Sequence, residues 1–240
     1  MNIVITTGGL SEHIDNVRKI TNSSTGKLGL LIAEEFLKYD NIDNIYYICP
    51  RKAFKPNNKK VNIIEVDGAY DTKSTIEKIL KNNNIDIFIH SMAITDYTVD
   101  YVTSQYYLNE IYDKSKSIYE MFDKAKKYTD TKIASNIDNL ILVLKPTPKI
   151  ISIIKRISPK TTLVGFKLLD NVEESELIKV ATKLKDKNKC DYVIANDLAN
   201  IKNGNHKVLL IDSLDNIDTI YGKENISKKL VKRLIQDKHI

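Results

Sequence analysis

Several things are scarce in this 240-residue chain, and each scarcity closes a route. The two cysteines, Cys49 and Cys190, lie far apart and outside any C-x-x-C pattern, which removes disulfide frameworks and zinc ribbons. No stretch approaches the ~20 apolar residues that a membrane span needs. The start, "MNIVITTGGL", has neither a basic n-region nor a long apolar h-region, so it reads as a strand beginning at once, and a cytoplasmic protein is expected. His13, His90, His206 and His239 show no metal-ligand spacing and are expected as surface or turn histidines. Ser91 and Ser135 lack the G-x-S-x-G setting of a nucleophile elbow. There are no internal repeats, low-complexity linkers or arginine-rich tracts. That last absence decides how the net charge of +6 is read: lysines scattered along the whole chain solvate helix faces, and no nucleic-acid or membrane partner is expected.

What is present is an alternation. Apolar runs suited to buried parallel strands recur at 2–7, 45–48, 61–66, 85–90, 161–167 and 191–196. Helical stripes fall between most of them: Leu28, Leu31, Ile32 and Phe36; Ile76, Ile79 and Leu80; Val172, Leu177, Ile178, Ala181 and Leu184. Such alternation predicts an α/β fold of Rossmann-like type, a doubly wound and mostly parallel sheet forming one domain over 1–240. Near the end, "HKVLLID" and "NIDTIYG" read as a late hairpin, followed by a helix with Ile226, Leu230, Val231, Leu234 and Ile235 on one face. Tyr128–Pro148 is the least regular region, polar at first, then apolar at "LILVL", then broken by Pro146 and Pro148; it is read as an irregular excursion from the sheet.

The chemistry concentrates after the first strand. "TTGGLSEHIDNVRKITNSSTGKLG", Thr6 to Gly29, packs four glycines and a Ser/Thr-rich turn ahead of a helix. Gly8 and Gly9 would let backbone approach a ligand, while Asn22, Ser23, Ser24 and Thr25 could cap the helix or donate to anionic oxygens. Gly26 and Gly29 on the first turn would leave that helix end bare for a bulky anion. Neither G-x-G-x-x-G nor a P-loop is present, so local chemistry alone gives an anion cradle or an ordinary capped glycine turn. Further along, Asp96 follows the fourth strand, where it could meet a metal, sugar or base, or cap a turn. Asn196 and Asp197 end the sixth strand; Lys167 interrupts an apolar run and is read as a snorkelling edge lysine or an anion partner. Lys183, Lys185 and Lys187 are surface charge unless one reaches an anion, and Lys132 is a loop cation able to close over phosphates.

Taken in order, these segments resemble the phosphopantothenate–cysteine ligase family over nearly the whole chain. The opening loop is similar to a glycine pair followed by an I-D-P-V-R element and an S-N-x-S-S-G-K-x-G helix start. "MAITDY", "KIAS", "GFKLLD" and "VIANDL" resemble its later segments, and the length resembles the stand-alone form.

The resemblance implies a two-step ligation. A nucleoside triphosphate, CTP with ATP as the alternative, activates the carboxylate of 4'-phosphopantothenate as an acyl nucleotidylate with Mg2+ assisting; the amine of L-cysteine then displaces the nucleoside monophosphate. It further implies triphosphate contacts at Gly8, Gly9, Ser24, Gly26 and Gly29, and nucleotide-pocket positions at Met92, Ala93, Asp96, Phe166, Lys167 and Lys187. Asn22 would handle the acyl nucleotidylate, Arg18 would lie near substrate or a dimer contact, and Asn196 would join the catalytic set. Lys132 would close from a neighbouring subunit of a homodimer. Asn16 stands where the family motif has proline, and "TPK" at Thr147–Lys149 stands where many members have N-P-D, which leaves the base open. A nicotinamide-dependent oxidoreductase and a non-catalytic nucleotide-binding protein are the alternative classes; the basic "CPRKAF" after the second strand disfavours NAD but would tolerate NADPH.

Overall fold

The computed structural model describes residues 1–129, 131–202 and 206–238. Strand β1 (Asn2–Thr6) begins the chain, and a small hairpin of β2 (Ser11–His13) and β3 (Lys19–Thr21) precedes helix α1 (Lys27–Phe36). Then come β4 (Asn44–Cys49), β5 (Val61–Glu65), α2 (Gly68–Asn82), β6 (Ile87–His90), β7 (Tyr97–Ser104), α3 (Gln105–Glu110), α4 (Ile118–Lys124) and β8 (Leu140–Pro146). The second half holds α5 (Ile151–Ile157), β9 (Thr162–Leu169), α6 (Glu174–Asn188), β10 (Tyr192–Asp197), α7 (Leu198–Lys202), β11 (Lys207–Asp212), β12 (Ile217–Tyr221) and α8 (Lys223–Asp237).

Eight strands form one twisted sheet in the order β12-β11-β10-β9-β6-β1-β4-β5. From β5 to β10 every pairing is parallel, and β11 and β12 close one side antiparallel, so the sheet is mostly parallel and doubly wound. The reason is visible in β1: Ile3, Val4 and Ile5 are all fully buried, which only a sheet covered on both faces allows. One face packs Ile32, Ala33 and Phe36 of α1 against Leu230, Val231 and Leu234 of α8; the other packs α2, α5 and α6. Each such aliphatic or aromatic side chain contributes roughly 1.5–3 kcal/mol of transfer free energy.

The chain leaves β1 outward to β4 and β5, then crosses back to β6 on the other side of β1. Strand order therefore reverses between β1 and β6. At such a switch point the loops from two carboxyl ends diverge and open a crevice.

Three expectations need correction. The excursion begins at Tyr97 rather than Tyr128 and is not irregular throughout: β7 and β8 pair antiparallel as a two-stranded arm, with "LILVL" and Pro146 inside β8. Pro146 lies at the arm's edge, where its missing N–H interrupts no ladder. Strand β9 lies between β6 and β10, so Lys167 is on an interior strand, not an edge. His90 is no surface histidine; it is 8% exposed at the end of β6. His13 is half-exposed and bonds Asp67 at 2.7 Å, and His239 lies outside the described residues. Among the described residues no helix is long and apolar enough to cross a membrane.

Candidate functional site

The opening loop owes its path to backbone packing. Gly9 N–H donates to the Ser24 carbonyl (3.0 Å), Leu10 N–H to the Ala93 carbonyl (3.0 Å) and Asn22 N–H to the Leu10 carbonyl (3.0 Å). A Cβ at Gly9 would fall 1.9 Å from the Asn22 carbonyl oxygen, and Gly8, at φ +84°, has Pro50 Cδ at 2.9 Å from the corresponding point. Both glycines are thus demanded by the protein's own fold, and neither lines the cavity described below. Helix α1 follows Gly26, which sits in the left-handed region with φ 76° and has no side chain to cap it. Of the expected Asn22–Thr25 caps, Thr25 contributes one long bond, its Oγ1 accepting from Lys27 N–H at 3.4 Å. The rest of the first-turn N–H groups are left for another acceptor.

A cavity of about 770 Å³ opens over the carboxyl ends of β1, β6, β9 and β10. Ser24, Gly26 and Gly29 line its α1 side, Met92, Ala93 and Asp96 its β6 side, and Phe166, Lys167, Asn196 and Lys187 the side beneath α6. The geometry brings these ten sequence-selected residues together. Its electrostatics are one-sided: Lys27, Lys149, Lys167, Lys183, Lys187, Lys207 and Lys223 line it against a single carboxylate, Asp96. Asp96 is ion-paired to Lys149, and Lys207 to Glu174, so five of the seven cavity lysines have no carboxylate partner within the described residues. Five unpaired cations gathered in one concavity repel one another unless an anion enters. No cluster of three metal-ligating side chains occurs among the described residues.

The wall around Asp96 is tied down by Thr147, whose hydroxyl donates to the Thr95 carbonyl (2.5 Å) and whose N–H donates to the Asp96 carbonyl (3.0 Å). Behind it the buried Glu12 carboxylate accepts from Ala69 N–H (2.8 Å) and Thr95 Oγ1 (2.9 Å), joining the β2 hairpin to the α2 start. Asp197 is structural too. It is buried and accepts backbone N–H groups of Asn171, Val172 and Ala199, which hold its carboxyl below the usual range and fasten the loop leading into α6.

Besides Gly8 and Gly9, four selected residues stand apart from the cavity lining. The Asn22 amide donates to the Ala93 carbonyl (3.1 Å), bracing the loop against the end of β6. Arg18 donates twice to Asp15, at 3.0 and 2.5 Å, and once to the Ile133 carbonyl at 2.8 Å; Asp15 in turn accepts from Ile133 N–H. Asn16 N–H reaches the Thr131 carbonyl (3.0 Å), so Arg18 and its neighbours hold 131–133 from both sides and leave the Lys132 side chain exposed. Lys185 is removed from the helix-lysine candidates: it is buried, with its ammonium on Asp215 (2.5 Å) and the Asp212 carbonyl (3.3 Å). Lys183 and Lys187 line the cavity.

Two residues that sequence reasoning passed over belong to the site. His90 and His206 both line the cavity, and only a position at a strand's carboxyl end could have marked the first of them. Both cysteines are buried and outside the cavity lining; burial raises the Cys49 thiol to about 11 and Cys190 to about 12.

The DNA/pantothenate metabolism flavoprotein C-terminal domain family matches residues 1–113 and 123–238. The coenzyme A biosynthesis bifunctional protein CoaBC of Thermococcus kodakarensis is 31% identical over 209 residues, 87% of this chain and 44% of that protein, so the chain spans less than half of that relative. The crystal structure of the DNA/pantothenate metabolism flavoprotein from Streptococcus pneumoniae superposes with TM-score 0.87 at 35% identity, covering 100% of both chains. A Cab2 variant in complex with phosphopantothenate-cysteine gives TM-score 0.72 at 19% identity over 98% of this chain and 85% of that one, a likeness of fold. By the extent of the family match, this chain belongs to the DNA/pantothenate metabolism flavoprotein C-terminal domain family.

Proposed function

We propose that the protein joins 4'-phosphopantothenate to L-cysteine, through an acyl nucleotidylate formed from CTP or ATP. The observation that carries this reading is the lysine-lined cavity over the β1/β6 switch point, which suits a ligand with several anionic groups. Both the phosphorylated acid and a nucleoside triphosphate are of that kind, and amide formation by this route needs charge neutralisation and positioning more than a protein nucleophile. The relatives named for coenzyme A biosynthesis, and a fold neighbour solved in complex with phosphopantothenate-cysteine, point the same way.

Within this reading Ser24 and the first-turn N–H groups of α1 beyond Lys27 hold phosphate oxygens, and Lys167 and Lys187 neutralise charge from the opposite side. Asn196 stands at the reacting end, with Asn22 fixing the loop beside it. The donor set fits Mg2+ carried on the triphosphate: the described residues provide Asp96 alone as a carboxylate in the cavity, so phosphate oxygens and water would supply most of the coordination. When bound, the ion would screen the phosphates and the leaving pyrophosphate.

Lys132 lies outside the cavity lining and exposed, which supports its closing on a second subunit's site in a homodimer. Tyr97, Tyr106, Tyr112, Ile118, Tyr119 and Leu144, all exposed on the β7–β8 arm and its helices, supply an apolar surface for such pairing. The test is direct. Purified protein with 4'-phosphopantothenate, L-cysteine, Mg2+ and either CTP or ATP is expected to release pyrophosphate and form phosphopantothenoylcysteine; no product with either nucleotide overturns the reading.

A further inference from the structure

His90 lines the cavity at the carboxyl end of β6. Its strand, β6, lies between β1, which leads into the glycine loop, and β9, which carries Lys167. Its register partners are Thr6 on one side and Gly165 on the other. Because side chains alternate along a strand, Lys167, two residues beyond Gly165, is on the same face as the imidazole.

Both ring nitrogens can be accounted for. Nδ1 is 2.8 Å from the Thr6 hydroxyl. Nε2 has no protein partner, and no buried side-chain nitrogen or oxygen among the described residues lacks one, so Nε2 is open to the cavity that His90 lines. Thr6 is 0% exposed and among the described residues its hydroxyl has no partner but Nδ1. A buried O–H left without an acceptor is more costly than an oxygen left without a donor, so Thr6 donates and Nδ1 accepts. A neutral imidazole has one proton, and it must then be on Nε2. Burial keeps the ring neutral by lowering its pKa to about 4. The ring plane is fixed further by Phe88, edge-on at 6.0 Å between centroids.

We infer that His90 is a ligand-contacting residue whose Nε2–H, oriented by Thr6, donates a hydrogen bond to an anionic oxygen of the bound substrate. A leucine would fill the same space beside Phe88. What the imidazole adds is an uncharged donor pointing into a cavity otherwise furnished with flexible ammonium groups, and rigid donors are those that fix orientation. The inference rests on the ligase reading for the identity of that oxygen, which belongs either to the phosphorylated acid or to the nucleotide.

The experiment uses the 240-residue chain labelled with 15N-histidine. Long-range 1H–15N spectra of the free protein are expected to show His90 as the Nε2–H tautomer; an Nδ1–H tautomer or a charged ring at pH 7 overturns the proposal without reference to any activity. Adding 4'-phosphopantothenate alone and CTP alone then separates the two sources. One of them is expected to shift the His90 Nε2–H resonance, and a resonance moved by neither is contrary to it. His90→Gln keeps a nitrogen near the Nε2 position, whereas His90→Asn keeps only a partner for Thr6. The Gln variant is expected to keep KM within about threefold while the Asn variant raises it about tenfold at similar Tm. Equal KM values in both sink the inference, and should His90→Asn fail to fold, the tautomer and the titrations decide.

Discussion

Gly29 on α1 and Thr7 after β1 are in such close contact that a Cβ on the glycine would lie 2.2 Å from Thr7 Oγ1 and 2.5 Å from Thr7 Cβ. The glycine that sequence reasoning placed in an anion cradle is therefore first a packing glycine. It lets α1 approach the sheet and aims the helix start at the cavity. Gly29→Ala is expected to destabilise the fold by about 1–3 kcal/mol or more through overpacking. Thr7→Ala should restore only part of that loss, since Thr7 Cβ still clashes, and Thr7→Gly more of it. Denaturant melts of the single and double variants measure the coupling; additive effects would contradict the contact.

The Asp15 carboxylate is held below the usual carboxylate range, first by the Arg18 guanidinium and then by backbone N–H groups of Arg18, Val17 and Ile133. A group whose folded pKa is depressed adds stability that is complete above its unfolded value, near 3.8 here, and is lost as pH falls through the folded value. Loosening of 131–133 is thus expected only in acid, below about pH 4. Asp15→Asn should bring that state to neutral pH, seen as faster hydrogen exchange at the Ile133 amide, while the protection of β1 stays unchanged. Unaltered Ile133 exchange in the variant would show that Asp15 does not anchor this segment.

Much of this was legible from the chain. The interior parallel strands could be read because strands buried on both faces are continuous apolar runs, the half-exposed edge strand β5 from its Val/Ile content, and the α8 stripe because Ile226, Leu230, Val231, Leu234 and Ile235 repeat at helical spacing. The β7–β8 arm escaped notice because its residues mix charged and apolar side chains and its two strands are separated by two helices. Lys185 was misread because its partner, Asp215, sits on a hairpin 30 residues later, although the position four residues after Ala181 put it on the buried stripe of α6. For Gly8, Gly9 and Gly29 the residue type was informative and the reason was not, since the atoms that exclude a side chain come from Pro50, Asn22 and Thr7.

The α6 lysines 183, 185 and 187 divide by environment, and their variants should divide likewise. Lys185→Met replaces a buried ammonium by an apolar side chain of similar length and leaves Asp215, already exposed, in water. A modest change in stability, under about 1.5 kcal/mol, and an unchanged KM for nucleotide are expected. Lys187→Ala should do the reverse, raising KM about tenfold with little change in Tm, because its ammonium faces the cavity rather than a partner. If Lys185→Met instead impaired nucleotide binding as strongly as Lys187→Ala, the division would fail.

Arg18 fixes 131–133 at a place from which Lys132 does not line its own chain's cavity, so the proposed role of Lys132 requires a second chain. That requirement has a quantitative consequence. Lys132→Ala keeps an intact cavity and Asn196→Ala keeps an intact Lys132, and each variant alone is expected to lose most turnover. Mixed dimers of the two contain one site built from an intact cavity and an intact lysine. Random assortment makes half of the dimers mixed, so co-refolded variants should recover about a quarter of wild-type activity. If Lys132 acted within its own chain, each chain of a mixed dimer would still carry its own defect. Recovery would then stay at the level of the separate variants, a result that size-exclusion chromatography of the mixture would keep distinct from a failure to pair.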